Sequence, residues 1–320
     1  KQALKTAMMV EDVRTTVANH VGTTAENVIF TLNCTDALNL AILGSFQPDG
    51  HVVCTVNEHN SVLRPLEHLR QCSPSFSYSV AKQSGKLGIT WQDIENQITD
   101  KTYLVVCNHI SNVNGDVADI EKIGKNLKDR NILFLVDGAQ GGGHFVYDMQ
   151  KMNISMLALA PHKGFYGPQG VGCLALNGNV DLQPIRFGGT GTNSLELVQP
   201  NSAPERFESG TINTPAILGF GEGVRFVEEN FNFIQEKMED LTTYLHYELS
   251  KLPIEIYTKT ENTNGVFAFN VPDVDSTEVA NYLNEKWGIC VRSGYHCAPL
   301  KHKSLGTLDQ GAVRVSLSFF

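Results

Sequence analysis

The sequence of 320 residues predicts an α/β protein with a mostly parallel sheet, followed by a smaller α+β domain. Short continuous apolar runs such as Ile132–Val136 are typical of strands that are covered on both faces. Helical patterns separate these runs, and strand–helix alternation favours parallel strands joined by right-handed crossovers. The alternation of strands and helices then gives way to a long helical pattern over Ala216–Leu252, and this change predicts the second domain.

The predicted elements follow the chain in order. Strands of the sheet are predicted at Asn27–Leu32, Val52–Val56, Tyr103–Cys107, Ile132–Val136, Met156–Ala160 and Val171–Leu176. Helices are predicted at Thr35–Leu43, Ser61–Arg70, Ile120–Asp129, Ala216–Leu252 with a break near Asn230–Asn232, and Ser276–Trp287. Short strands of the second domain are predicted at Ile254–Tyr257, Val266–Val271, Ile289–Arg292 and Ala312–Ser316. We therefore expect a large domain of residues 1–225, and a linker helix with a small C-terminal domain over residues 226–320.

The composition argues against several classes of partner. The net charge is −9 and no basic run occurs, so nucleic acid and anionic membranes are not expected to bind. No apolar stretch approaches the roughly 18 residues of a membrane span, and Lys1–Asn19 does not resemble a signal peptide. The seven cysteines are an odd number without paired spacing, which favours a reducing compartment. We expect a cytoplasmic protein without a metal site.

Two residues that could take part in a reaction follow strands, at the edge where a parallel sheet binds its ligands. Asp137 ends the most apolar strand, where a carboxylate is costly unless it is paired. Lys163 follows the strand Met156–Ala160. Alone, Asp137 could cap a turn and Lys163 could be a surface lysine. Together they favour pyridoxal 5'-phosphate, which needs an acid for its ring nitrogen and a lysine for its aldehyde.

A phosphate site is predicted where Asn33-Cys34-Thr35 joins a strand to a helix. Backbone N–H groups at a helix N-terminus bind anions, and the Thr35 hydroxyl would add a donor. The alternative is that Thr35 is a plain N-cap. His59, after the next strand, could stack on a flat cofactor ring or be a structural histidine.

Cys297 is the candidate reactive thiol, because its neighbours are polar and turn-like. Arg292 and His296 are close in sequence, and nearby positive charge favours a thiolate. The cysteines at 54, 107, 173 and 290 are interpreted as unreactive core residues. Arg314 lies in an otherwise apolar strand, where it could bind a carboxylate through two hydrogen bonds or belong to a structural ion pair.

The ordered motifs resemble those of class V aminotransferase-fold enzymes, and most closely the cysteine desulfurase and selenocysteine lyase group. The motifs are Val136–Gln140, His162–Gly164 with Gly167–Gly170, Arg206–Thr211 with Asn213-Thr214, and the R-x-G-x-H-C loop of Arg292–Cys297. The resemblance covers essentially the whole chain. It implies the type I fold of pyridoxal-phosphate-dependent transferases, with a seven-stranded sheet in the large cofactor-binding domain.

The resemblance also implies a role for each matching residue. Lys163 would form the Schiff base, Asp137 would pair with the pyridine nitrogen, and His59 would lie on the ring. Gln140 and Asn112 would lie at or near the phenolic oxygen. The residues expected to bind phosphate are Cys34, Thr35, His162 and Thr211. Thr211 would reach the phosphate of a partner subunit, which implies a homodimer. Residues expected to bind the substrate are Arg314, Arg292 and Asn112.

The implied reaction converts L-cysteine to L-alanine. Lys163 would remove the α-proton, and Cys297 would attack the sulfur and keep it as a persulfide for transfer to an acceptor, which could be a protein. Two alternatives stay open. One is a selenocysteine lyase, another β-lyase or an aminotransferase, although an aminotransferase would not need Cys297. The other is a catalytically inactive relative that serves as a binding partner.

The sequence departs from the family pattern at three places. Ala160 stands where the family usually has Ser or Thr as a phosphate ligand, so we expect that one phosphate bond is missing or comes from another group. Asn33-Cys34-Thr35 stands where small residues are commoner. The family's L-D-N-A-A type leader and the usual helix after Phe320 are not found in this sequence.

Overall fold

The structure is a computed structural model, and it describes residues 1–86, 88–178, 180–192 and 194–320. Its α-helices are α1 Gln2–Val21, α2 Cys34–Gly44, α3 Asn60–Cys72, α4 Trp91–Glu95, α5 Ile120–Leu127, α6 Thr214–Leu249, α7 Ser276–Trp287 and α8 Pro299–Leu305. Its strands are β1 Val28–Thr31, β2 His51–Thr55, β3 Ser77–Ala81, β4 Thr102–Asn108, β5 Leu133–Asp137, β6 Met156–Leu159, β7 Gly172–Leu176, β8 Glu255–Ile256, β9 Val266–Asn270 and β10 Val313–Ser316.

Seven strands form the large sheet in the order β1-β7-β6-β5-β4-β2-β3. Strand β7 is antiparallel to both of its neighbours, and the other paired strands are parallel. The predicted α/β class with a mostly parallel sheet is therefore confirmed. Strand β3 was not predicted, because its sequence alternates polar and apolar residues and it lies half-exposed at the sheet edge.

Helices cover both faces of this sheet, which explains the continuous apolar runs. In β5, Phe134 and Val136 belong to the core that also contains residues of α1 and α6. Leu135, between them, belongs to the core beneath α2 and α3. Because β4, β5 and β6 are neighbours and parallel, Asn108, Asp137 and the segment after β6 all lie at one edge of the sheet.

The second sheet is antiparallel, with the order β10-β9-β8. The predicted strand at Ile289–Arg292 is wrong: only Arg292 pairs, through an isolated bridge to Arg314, and Ile289 is half-exposed. The R-x-G-x-H-C loop follows this bridge directly, so the backbone turns away before a strand can form.

Helix α6 is continuous, so the predicted break near Asn230–Asn232 is wrong. The Asn230 side chain donates to the Phe226 carbonyl at 2.8 Å within the helix, and Val227 and Ile234 are buried on either side. Packing therefore outweighs the weak helix propensity of asparagine. The predicted domain boundary at residue 225 falls inside α6 and stays a prediction. Although α6 has 36 residues, neither it nor any other helix in the described ranges is long and apolar enough to cross a membrane.

Candidate active site

A cavity of about 230 Å³ lies at the carboxyl edge of the large sheet. Its walls come from the ends of β4, β5 and β6 and from the starts of α2 and α3. Most of the predicted site residues line it, namely Cys34, Thr35, His59, Asn112, Asp137, Gln140, His162, Lys163 and Arg292. Cys297, Arg314 and Thr211 lie outside this lining.

Asp137 is a buried carboxylate at the end of β5. Its Oδ1 accepts from the Ala139 N–H at 3.0 Å, and its Oδ2 accepts from the Asn108 side chain at 3.4 Å. No ion pair to Asp137 occurs within the ranges that the structure describes, so its negative charge is available to a proton on a bound group. Burial, and next the charge of Asp137, raises the pKa of the Cys34 thiol well above its usual range, so Cys34 stays protonated.

His59 is held as a neutral ring with a defined tautomer. Its Nδ1 accepts from the Ser61 backbone N–H at 3.0 Å, so the ring proton is on Nε2. Burial lowers the pKa of His59, although the negative charge of Asp137 acts to raise it. The Ser61 hydroxyl lies 2.9 Å from the same Nδ1 and 2.7 Å from the Thr35 hydroxyl. Ser61 was not predicted, although a serine at the second position of a helix that borders the site was a usable signal.

The start of α2 forms an anion-binding turn. The Asn33 side chain caps this helix by accepting from the Asp36 N–H at 3.0 Å. The N–H groups of Cys34 and Thr35 belong to the first turn, which has no intrahelical acceptors. Gly172 on β7 allows the close approach, since a Cβ there would lie 2.2 Å from the Asn33 carbonyl carbon. The turn is therefore fixed against the sheet.

Lys163 is half-buried in the turn after β6 and lines the cavity beside His162. Its Nζ has no hydrogen bond or ion pair among the described residues, which leaves the amine available. Burial, and next the charge of Lys163, lowers the pKa of His162. Ala160 lies in the cavity wall without a hydroxyl, and the Ser61 hydroxyl lines the same cavity. Ser61 is thus a candidate for the phosphate bond that Ala160 cannot make.

Arg314 and Asn112 join the small sheet to the cavity. The Arg314 guanidinium donates to the Asn112 carbonyl at 2.9 Å. Burial, and next the charge of Arg292, lowers the pKa of Arg314 to about 10, so it is still charged at neutral pH. Arg314 Nε and Asn112 Oδ1 are buried without a hydrogen-bond partner. No ion pair of Arg314 is found within the described ranges, which favours an external carboxylate as its partner over the structural ion pair considered above.

Cys297 is exposed and sits in an unusual backbone conformation. His296 and Cys297 have consecutive positive φ values of 48° and 58°, a left-handed conformation that costs roughly 1–2 kcal/mol per residue. Two hydrogen bonds hold it: the Asn60 N–H donates to the Cys297 carbonyl, and the Asn112 side chain donates to the His296 carbonyl, both at 2.7 Å. These bonds fix the cysteine loop to the edge of the cavity.

The positive charge beside Cys297 comes from Arg292 and not from His296. The Arg292 guanidinium lies 3.9 Å from the Cys297 sulfur. The His296 ring is buried, and its Nε2 bonds to the Ala312 carbonyl at 3.0 Å. Burial, and next the charge of Arg314, lowers the pKa of His296 to about 3, so this ring is neutral. Of the two neighbours considered for the thiolate, only Arg292 is cationic.

Thr211 lines a separate cavity of about 170 Å³, together with Arg186, Glu208 and Asn213. Glu208 is buried there in an ion pair with Arg14 at 2.8 Å. The structure therefore does not bring Thr211 to the cavity that contains Lys163.

Known proteins resemble this chain over almost its whole length. The sequence profile of the family described as aminotransferase class-V matches residues 1–320. A probable cysteine desulfurase from Methanothermobacter thermautotrophicus is 32 % identical, over 99 % of this chain and 81 % of the relative. A probable cysteine desulfurase from Pyrococcus abyssi is also 32 % identical, over 97 % of this chain and 79 % of the relative.

The fold agrees with these sequence relatives. The apo structure of a cysteine desulfurase from Thermococcus onnurineus superposes with a TM-score of 0.92 at 30 % identity, and covers 99 % of this chain and 81 % of that one. This likeness confirms the predicted type I fold. Given the cavity, the ordered motifs and the profile match over all residues, the chain belongs to the class-V aminotransferase family.

Proposed function

We propose that this protein is a pyridoxal 5'-phosphate-dependent cysteine desulfurase, which converts L-cysteine to L-alanine and holds the sulfur on Cys297. One observation carries the proposal: a lysine and a buried carboxylate line one cavity, and a loop that presents an exposed cysteine is hydrogen-bonded to its edge. The names of the relatives agree with this activity.

The donor set of the cavity fits pyridoxal phosphate. An amine, a buried carboxylate, a neutral imidazole and a helix N-terminus are present in one enclosure, and the Asn112 Oδ1 atom is buried without a partner. The residues that would hold the cofactor are Lys163 at the aldehyde, Asp137 at the ring nitrogen, His59 on the ring face, Gln140 and Asn112 at the phenolic oxygen, and Cys34, Thr35 and His162 at the phosphate.

When bound, pyridoxal phosphate supplies an electron sink for negative charge at the α-carbon of an amino acid. Asp137 would keep the ring nitrogen protonated, because its buried charge has no cationic partner among the described residues. Lys163 would take the α-proton, since its amine lines the cavity and has no hydrogen bond or ion pair among the described residues. His59 would stack without adding charge, because its ring is neutral.

Arg314 would bind the substrate carboxylate, which would satisfy its buried charge. The Cys297 thiolate would then attack the substrate sulfur. A bond forms between the two sulfur atoms while the carbon–sulfur bond breaks, and the carbon fragment takes up a proton to become alanine. The persulfide on Cys297 would pass its outer sulfur to an acceptor.

The proposal is tested by incubating the cofactor-loaded protein with L-cysteine and dithiothreitol and measuring alanine, pyruvate and sulfide. Equal amounts of alanine and sulfide are expected. Pyruvate with sulfide would identify a β-lyase instead, and no turnover would indicate the inactive relative. A parallel reaction with L-selenocysteine compares the two substrates, because a selenocysteine lyase would release alanine from it in preference.

We further infer a homodimer in which Thr211 contacts the phosphate bound by the partner subunit. This inference is supported by the position of Thr211 in a cavity of its own, away from Lys163. The exposed position of Cys297 is compatible with delivery of sulfur to an acceptor protein.

A further inference from the structure

A buried ionic cluster connects the two sheets at a place that the proposed reaction does not use. Asp116, between β4 and α5, is 2 % exposed. Its Oδ2 lies 2.8 Å from the Lys301 ammonium, and its Oδ1 lies 2.9 Å from the Lys259 ammonium. The Asn262 side chain also donates to Oδ1 at 3.0 Å, and Lys301 donates to the Gln83 side chain at 3.2 Å. Both carboxylate oxygens are therefore fully engaged.

The two lysines of this cluster are placed differently. Lys301 is 2 % exposed and lies in the first turn of α8, four residues after Cys297. Lys259 is partly exposed and lies in the connection between β8 and β9, which does not adjoin the cysteine loop in the sequence. Burial acts to raise the pKa of Asp116, but the charges of Lys301 and Lys259 hold it below its usual range. Asp116 is thus ionised at neutral pH. Burial lowers the pKa of Lys301 from its usual range, against the charge of Asp116.

Asp116 shares a short loop with a residue that holds the cysteine segment from the other side. The Ser111 N–H donates to the Asp116 carbonyl at 2.9 Å, which closes the loop. Asn112, in the same loop, donates to the His296 carbonyl at 2.7 Å. This closed loop therefore bonds to the chain on both sides of Cys297. Asn112 bonds to His296, just before it, and Asp116 bonds to Lys301, four residues after it.

The cysteine loop needs such anchors because it is strained. His296 and Cys297 both have left-handed backbone conformations, and neither is a glycine. Such conformations persist only where the surroundings enforce them. Within the described ranges, Lys301 is the only residue of α8 that makes an ion pair, and α8 is the helix that the loop enters.

We propose that Lys301 and Asp116 are positioning residues for Cys297: their buried ion pair fixes α8, and with it the distance of the Cys297 sulfur from the cavity. This proposal rests on the proposed role of Cys297 as nucleophile. Neither residue is among the described residues that line the cavity, so we expect the effect on sulfur transfer and not on binding.

The test compares Lys301→Met with Lys259→Met in the cofactor-loaded enzyme. Each variant removes one lysine from Asp116 and leaves the other, so each keeps the carboxylate paired. For Lys301→Met, kcat for alanine formation from L-cysteine should fall at least tenfold, with KM within twofold and the cofactor spectrum unchanged. Lys259→Met should lose less than threefold in kcat. Lys301→Gln, which keeps an uncharged donor, is the substitute where Lys301→Met does not fold, and is expected to show an intermediate loss.

Hydrogen–deuterium exchange provides a readout that does not depend on catalysis. Peptides covering residues 294–305 should exchange at least threefold faster in Lys301→Met than in wild type, and at the wild-type rate in Lys259→Met. Equal changes in both variants, or no change in either, would overturn the proposal. Wild-type protein without desulfurase activity would overturn the proposed function alone, because the exchange measurement would still show whether Lys301 anchors the loop.

Discussion

At the scale of single residues, the chemistry of Lys163 depends on groups that come from other strands. Its amine lines the cavity beside Asp137, which ends the neighbouring strand β5. Both residues were predicted because each directly follows a recognisable strand. Asn108 was not predicted, since its importance rests on a hydrogen bond to Asp137, 29 residues away, that no local pattern encodes. Ser61 was not predicted although its position in the first turn of a helix was visible, because its contact with the Thr35 hydroxyl was not.

Lys163→Ala should abolish the absorption band that we expect near ~420 nm for cofactor bound to the lysine amine. The cause is the loss of the only amine in the described lining of the cavity. The measurement is a visible spectrum after loading with pyridoxal phosphate and desalting. Lys128→Ala, at an exposed lysine, is the control and should keep the band. A colourless wild type under the same conditions would contradict the assignment.

Cys297→Ser should stop sulfide release from L-cysteine while the cofactor stays bound, because a hydroxyl cannot accept the sulfur. We expect a loss of at least a hundredfold in the rate of sulfide formation. Cys290→Ser is a matched control, since Cys290 lies seven residues earlier and is also exposed, so the prediction that it is a core residue is wrong. Undiminished sulfide release by Cys297→Ser would refute its role as nucleophile.

At the scale of elements, Glu58 connects the ends of β2 and β4 beneath the cavity. One of its carboxylate oxygens accepts from the Thr55 hydroxyl at 2.6 Å and from the Asn108 N–H at 2.9 Å. Burial raises the pKa of Glu58 from 4.5 to about 8, despite these bonds. Glu58 is therefore mainly protonated at neutral pH. The next residue in the chain, His59, lines the cavity.

The free energy of unfolding should therefore depend on pH through Glu58. Since the folded state holds this proton more tightly, the stabilisation is fully present below pH 4.5 and is lost as pH rises to about 8. The loss is at most about 1.4 kcal/mol per pH unit. Urea unfolding between pH 5.5 and 7.5 should show a shallower decline for Glu58→Gln than for wild type. Parallel curves would show that Glu58 is ionised in the folded protein.

Strands that form a continuous apolar run could be predicted from the sequence. Elements that mix polar and apolar residues, or that are very short, could not. Strands β4, β5 and β7 are buried along their whole length or nearly so, and they produce apolar runs. Strand β3 is half-exposed, and the five residues of α4 are too few for a helical period. The asparagines of α6 suggested a break because the burial of Val227 and Ile234 on either side of them cannot be read from the sequence.

At the scale of the whole molecule, the proposed dimer makes a specific prediction about mixed subunits. Thr211→Ala should weaken cofactor binding, and Lys163→Ala should be inactive. If Thr211 serves the partner's site, a mixed dimer of the two variants contains one site with both residues intact. Refolded mixtures at limiting cofactor should therefore be more active than the sum of the separate variants. Strict additivity would argue that Thr211 acts within its own subunit or not at all.

Long-range contacts set the limit of what the sequence could show. Asp116 and Lys301 are 185 residues apart, and Asn112 and His296 are 184 apart. The motifs placed Cys297 and Arg314 in a shared site only by resemblance to a family. The bonds that hold the cysteine loop, and the neutral state of His296, depend on burial that arises when the two sheets pack together.

The cavity also has a consequence for synthesis of the chain. Among the described residues, its lining extends from Asn33 to Lys163, and only Arg292 comes from beyond that range. The large sheet is completed by β7, which ends at Leu176, and α6, which covers one of its faces, ends at Leu249, so the cavity can form on the ribosome before the cysteine loop has been translated. A nascent chain would thus acquire its lysine cavity before its proposed nucleophile, and the proposed cofactor, if captured early, would be present when Cys297 is added.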